Sequence, residues 1–134
     1  MNYWLVKSDP ETYGWKELVK DKKTDWTGVR NYAARLHLRA MKKGDEVLFY
    51  HSNDEKAVVG IAKVTKEFFS DPTTGDDAWI AVELAVLKPL KNMVTLSEMK
   101  TRKELANIGL IKIGRLSVMP LKSEEYKLIV KLGS

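Results

Sequence analysis

The chain of 134 residues contains no cysteine. That single absence removes disulfides, thiolate nucleophiles and cysteine-ligated zinc. Histidine is almost as scarce: His37 and His51 are the only two, too few for a histidine-built metal site. No apolar run reaches the roughly 18 residues needed to span a bilayer. The first residues, Met1 to Trp4, lead directly into a strand pattern and do not resemble a signal peptide. Walker, Rossmann and nucleophile-elbow patterns are all missing. There is no internal repeat, no low-complexity segment and no linker composition. A cysteine-free chain without a membrane segment fits a reducing compartment, and a cytoplasmic location is expected.

What remains describes one ordinary globular domain. A length of 134 residues is one domain by the usual prior. Such a chain buries about two thirds of its extended surface and needs no cross-link. Hydrophobic residues make up 44% and charged residues 31%. Net charge is +5, with an isoelectric point near 9.3. The charge is unevenly placed. Between Lys16 and Lys43 stand nine basic residues against Glu17, Asp21 and Asp25, a net +6, while the rest is close to neutral. A local basic face is the electrostatic footprint of a nucleic-acid binder.

The order of elements is legible from periodicity. Asn2 to Ser8 is a strand, and Pro10 ends it. Tyr13 to Lys20 is a short helix on the spacing of Trp15, Leu18 and Val19. Thr24 to Thr27 is a brief strand ended by Gly28. Asn31 stands where an N-cap would, before a helix with Tyr32, Leu36 and Ala40 on its apolar face and Arg35 and Arg39 on another. Gly44 is suited to the left-handed turn ending that helix. Glu46 to Tyr50 lacks polar alternation and should be buried on both faces. Ala57 to Phe69 is a strand in which Gly60 marks a bend or a close approach of another backbone. After a polar connection, Asp71 to Asp77, comes the clearest strand, Ala78 to Leu90, ended by Pro89. Ile80, Val82, Leu84 and Val86 form its solid face. Capping-box patterns begin at Thr95 and Thr101. Leu110 to Arg115 is ambiguous. Leu116 to Leu121 is a last strand, and Ser123 starts a final helix. Five or six strands with short helices point to an α+β fold with a small mixed sheet that curls, with closure into a barrel as the expectation.

The stretch from Asp25 to Asn53 concentrates the chemistry. Its first end holds Trp26, Gly28, Arg30 and Asn31; its last delivers Tyr50, His51, Ser52 and Asn53. His51 and Ser52 are adjacent on a strand, so they point to opposite faces and cannot act as a nucleophile–base pair. Asp76 and Asp77 sit beside Gly75, where turn chemistry explains them better than catalysis. The composition suits a flat base instead, with stacking from Trp26, Tyr32, Tyr50 or Trp79 and edge contacts from Ser8, Asn31, His51, Ser52, Asn53 or Ser117. Lys7, Arg30, Arg35, Arg39 and Arg115 are candidates for phosphates.

Four ordered motifs carry a family resemblance. W-L-V-K-S-D-P, D-W-T-G-V-R-N-Y-A-A-R, K-K-G-D-E-V-L-F-Y-H-S-N and G-R-L-S-V-M-P-L resemble the EVE domain of the PUA-like superfamily, from Asn2 to about Lys131. The resemblance implies a single domain over residues 1–134: a PUA-like curled five- or six-stranded β-barrel flanked by short helices. It implies a non-catalytic module, monomeric and without cofactor or membrane, whose partner is DNA or RNA carrying a modified base. The base would be held by Lys7 and Ser8, by Trp26 with Val29, Arg30 and Asn31, by Tyr50 with His51 and Ser52, and by Arg115 with Leu116 and Ser117. Arg35 and Arg39 would meet phosphates. Where the family usually has a longer acid after Lys-Ser, this chain has Asp9. The alternative is the related ASCH type, an RNA-processing or amide-hydrolysing enzyme in which Lys7, Arg30 and His51 would do the work.

Overall fold

The computed structural model describes residues 1–134. Its sheet is built outward from β3 (Glu46–His51), in which every residue from Val47 to His51 is buried. A strand covered on both faces needs a neighbour on each edge. β1 (Tyr3–Ser8) pairs with it in parallel and β4 (Ala57–Ser70) antiparallel. β6 (Val118–Leu121) adds to β1, β5 (Ile80–Thr95) adds to β4, and the four-residue β2 (Lys23–Trp26) adds to β5, all antiparallel. The result is a mixed six-stranded sheet in the order β2-β5-β4-β3-β1-β6.

Six short helices surround it: α1 (Pro10–Tyr13), α2 (Trp15–Asp21), α3 (Tyr32–Ala40), α4 (Leu96–Lys100), α5 (Gly109–Lys112) and α6 (Ser123–Leu132). A single 3-10 turn covers Lys103–Leu105. None of the helices is long and apolar enough to cross a membrane. The α+β class and six strands agree with expectation, but the barrel does not close: β2 and β6 end the ladder and do not pair with each other. Both are four residues long. β2 runs out at a turn through Gly28, and β6 carries Pro120, which lacks the N–H an inner strand would need.

Several local expectations are corrected. The buried face of α3 is Ala34 and Leu38, whereas Tyr32 and Leu36 are 67% and 61% exposed. Both sets share the four-residue spacing, so the period alone does not choose between them. The helix also ends at Ala40, ahead of Gly44, whose φ of 95° serves the following turn. The first helical region is split at Gly14, whose N–H donates to Glu17 Oε1 at 2.8 Å. β5 continues through Pro89 to Thr95, because Pro89 lies opposite Gly60 where the β4–β5 register shifts.

Buried polar groups tie the layers together. Asp45 accepts hydrogen bonds from the Trp4 indole (2.9 Å) and from the backbone N–H groups of Asn2 (3.1 Å) and Lys42 (3.0 Å). On the opposite side of β1, Tyr126 of α6 stacks on Tyr3 with centroids 4.2 Å apart, and its hydroxyl donates to Glu46. Burial and that carboxylate push the Tyr126 hydroxyl far above the ordinary phenol range.

Candidate functional site

A sheet that curls without closing leaves a seam. Here the seam is a cavity of about 420 Å³. One wall is the end of β1, with Lys7 and Ser8, together with Ser117 just before β6. The other is β2 and the loop after it, from Thr24 through Trp26 to Arg30. Thr12 and Tyr13 of α1 cover one end. The walls come from opposite ends of the strand order, so the curl of the sheet creates the site.

Each wall is held by identifiable bonds. Lys7 N–H donates to Ser117 O at 2.9 Å, fixing β1 beside the segment before β6. Lys7 Nζ donates to Gly114 O at 2.8 Å, and burial lowers the pKa of its ammonium. The Ser8 hydroxyl donates to Tyr13 O and so ties α1 to the strand. Trp26 closes the interior, its ring edge-to-face on Phe49 at 5.6 Å and 82°. Gly28 adopts φ 81°, a left-handed turn that suits glycine and redirects the chain so that Val29 and Arg30 border the cavity.

That turn depends on Asp71, which lies in the segment between β4 and β5. Its side chain is fully buried. Oδ2 accepts from Gly28 N–H at 2.9 Å and from Arg30 Nη1 at 3.0 Å. Oδ1 accepts from Thr73 N–H at 2.8 Å and from the Thr73 hydroxyl at 2.6 Å. Burial alone would raise the carboxyl's pKa; the four donors outweigh it and hold the group well below the usual carboxylate range. Sequence reading treated Asp71 as part of a polar connection. The available signal was the Asp71–Pro72–Thr73 pattern, which favours a side-chain-to-backbone turn. Thr12, Tyr13, Thr24 and Thr27, which also border the cavity, carried no separate signal.

The expected site residues divide evenly. Lys7, Ser8, Trp26, Val29, Arg30 and Ser117 border the seam; Asn31, Tyr50, His51, Ser52, Arg115 and Leu116 do not. Asn31 caps α3, its Oδ1 accepting from Ala34 N–H at 2.9 Å. Tyr50 is a core residue, only 2% exposed, and burial raises the pKa of its hydroxyl. His51 is buried next to Ser8 in the β1–β3 register. Its Nε2 accepts from Trp15 N–H at 3.0 Å, so the proton sits on Nδ1, which donates to Glu55 Oε1 at 2.9 Å. Ser52 is exposed and donates its N–H to Ser8 O at 2.9 Å. Arg115 is exposed, and Leu116 borders a separate, more apolar cavity with His37, Met119 and Leu121. Arg35 and Arg39 both lie on rings, Arg35 4.9 Å from Tyr32 and Arg39 4.9 Å from Phe68.

Residues 2–132 match the EVE domain family. The chain belongs to that family. Thymocyte nuclear protein 1 of Mus musculus is 35% identical over 98% of this chain and 73% of its own length; the Homo sapiens protein is 33% identical over the same shares. A Rhodopseudomonas palustris structure solved by NMR superposes with TM-score 0.94 at 44% identity, covering 99% of this chain and 93% of its own. The human THYN1 protein, solved in complex with 5-methylcytosine containing DNA, superposes with TM-score 0.93 at 32% identity, covering 100% of this chain and 98% of its own. An ASCH structure from Zymomonas mobilis, at TM-score 0.62 and 16% identity, covers 98% of this chain and 96% of its own and shares the fold alone. In this EVE domain no group of three or more His, Asp or Glu side chains is placed to hold a metal ion.

Proposed function

We propose that this EVE domain is a non-catalytic reader of modified DNA that takes one extruded base into the seam between β1 and β2. The observation that carries the reading is the lining of that seam. An aromatic ring, Trp26, meets short hydrogen-bonding side chains, Ser8, Thr12, Thr24, Thr27 and Ser117, in a space of about 420 Å³. That volume lies in the range of small-ligand sites, which run from about 300 to 1,000 Å³. A ring and fixed donors are what a flat, polar-edged ligand requires. The net +6 window from Lys16 to Lys43 includes β2 and the Gly28–Arg30 wall and supplies the field for a polyanion. The human relative solved with 5-methylcytosine DNA makes that base the first ligand to test.

The ASCH-type alternative needs Lys7, Arg30 and His51 at one reacting centre. Lys7 and Arg30 do border the seam, but His51 is buried outside it with both ring nitrogens engaged by Trp15 and Glu55. The arrangement favours holding over turning over.

The test is titration of single-stranded DNA carrying 5-methylcytosine or cytosine. Ser117→Ala should remove an edge contact and lower affinity by about 1 kcal/mol for both bases, which present the same hydrogen-bonding edge. Trp26→Phe keeps the packing on Phe49 but shrinks the ring at the seam, and should weaken both ligands alike by about 1 kcal/mol. Folded variants that bind both DNAs like the wild type would place the site elsewhere.

A further inference from the structure

Beside the seam lies an aromatic and cationic cluster that the base reading leaves unused. Tyr32 opens α3 and is 67% exposed. Trp79 precedes β5, with its ring centroid 5.3 Å from that of Tyr32 at a tilt of 34°. The Arg35 guanidinium lies 4.9 Å from the Tyr32 ring centre and 5.3 Å from that of Trp79. Arg30, which borders the seam, lies 5.6 Å from the Trp79 centre. One arginine therefore touches both places, and the cluster continues the wall of the cavity.

We propose that Tyr32, Trp79 and Arg35 form a second subsite that stacks the base adjoining the one in the seam, so that the partner is single-stranded DNA. The proposal rests on the base reading above and extends it by one nucleotide. Three observations support it. The Tyr32 ring sits at the surface with an arginine on it, which is how stacking platforms for single strands are built. Arg35 is fixed in place by Nη1 donating to Ala78 O at 2.8 Å, yet its Nε is buried with no acceptor. The bond to Ala78 O holds the guanidinium against both rings, so the platform is already ordered before a base arrives. Finally, the cluster lies within the basic window, where a backbone leaving the seam would be attracted. Single-strandedness follows from the faces required. The adjoining base can lie on a ring at the protein surface only by leaving its own pair, which costs nothing in an unpaired strand and a few kcal/mol in a duplex.

The competing account is that the rings and Arg35 merely clamp the Asp71–Trp79 segment to α3. It predicts lost stability and no dependence on the ligand's neighbouring base. The experiment uses Tyr32→Ala and Tyr32→Phe in the full chain. The probes are 5-methyl-2′-deoxycytidine as free nucleoside, a short single strand with one 5-methylcytosine, the same strand abasic at either neighbour, and its duplex. Tyr32→Ala should leave nucleoside affinity unchanged and weaken the single strand about ten-fold, the size of one base–aromatic stack. The loss should vanish when one particular neighbour is abasic, Tyr32→Phe should restore binding, and wild type should prefer the single strand to the duplex. Equal weakening of normal and abasic strands, no weakening at all, or a preference for duplex overturns the proposal. Wild type that binds no nucleoside overturns the base reading instead. The abasic comparison on an unmodified strand then still decides whether Tyr32 stacks a base.

Discussion

At the scale of single residues, Asp71 governs the seam without being part of its surface. It satisfies the Gly28 turn and orients Arg30, so its loss acts on the wall from behind. Asp71→Asn would set an amide N–H₂ against donors on one side or the other. We expect a cost of about 1–3 kcal/mol, from an unsatisfied buried donor and a lost charge-assisted bond. The pH dependence follows from sign. The folded state depresses this carboxyl's pKa, so its stabilising contribution is complete above the unfolded value of about 4 and is lost as pH falls below it. The gap in urea midpoint between wild type and Asp71→Asn should therefore be widest near neutrality and should narrow from about pH 4 toward pH 2. A gap that stays constant with pH would mean the carboxylate is not the stabilising species. Asp71 was hard to see in the sequence because an Asx-type turn and a buried anchor look alike: the difference is made by Gly28 and Arg30, more than forty positions away. Asn31 and His51 show the converse. Their residue types suit a base edge, but local needs, an N-cap and the Trp15 N–H, occupy them first.

At the scale of elements, Gly60 and Trp15 decide how α2 seats on the sheet. A Cβ at Gly60 would lie 2.4 Å from a Trp15 ring carbon, well inside contact distance. Trp15 also meets Phe49 edge-on at 5.5 Å, and its N–H donates to His51. Gly60→Ala should therefore push α2 outward and cost about 1–3 kcal/mol. Trp15→Leu in the same chain should relieve the clash, so the double variant should lose less than the two single changes together. Additive losses, measured by urea unfolding, would show that the ring has room to move. The close approach at Gly60 was legible in the sequence, although it is a side chain rather than a backbone that approaches. The strands were legible too, since Val47 to His51 and Ile80 to Leu84 have no polar break long enough to be a loop. The face of α3 was not. Ala34–Leu38 and Tyr32–Leu36 both repeat at four residues, and the larger, more apolar-looking pair is the one turned outward.

At the scale of the whole molecule, the site exists because the sheet stops short. Closure would have paired β2 with β6 and filled the space between them. Both edge strands are four residues long, and the cavity takes the place of the missing ladder. Sequence patterning places strands but carries no direct signal for which pair fails to meet; that depends on the summed curl and on the register shifts along β4 and β5. A ligand in the seam must therefore bridge the two edges of one sheet. In the free protein, edge strands with few partners should open more readily than β3 and β4, and their amides should exchange faster. Bound 5-methylcytosine DNA should slow exchange in Thr24 to Arg30 and in Lys7, Ser8 and Ser117 together. It should also raise unfolding stability by about 2.7 kcal/mol at a free concentration 100-fold above the dissociation constant. The two walls are far apart in the strand order, so their joint protection cannot be transmitted along a single ladder. Protection on the β2 side alone would show that the DNA lies across the basic face and leaves the seam empty. Protection on both walls that, with free nucleoside held near the wild-type dissociation constant, weakens on Ser117→Ala but is kept on Tyr32→Ala would put the base in the gap that the sheet leaves open.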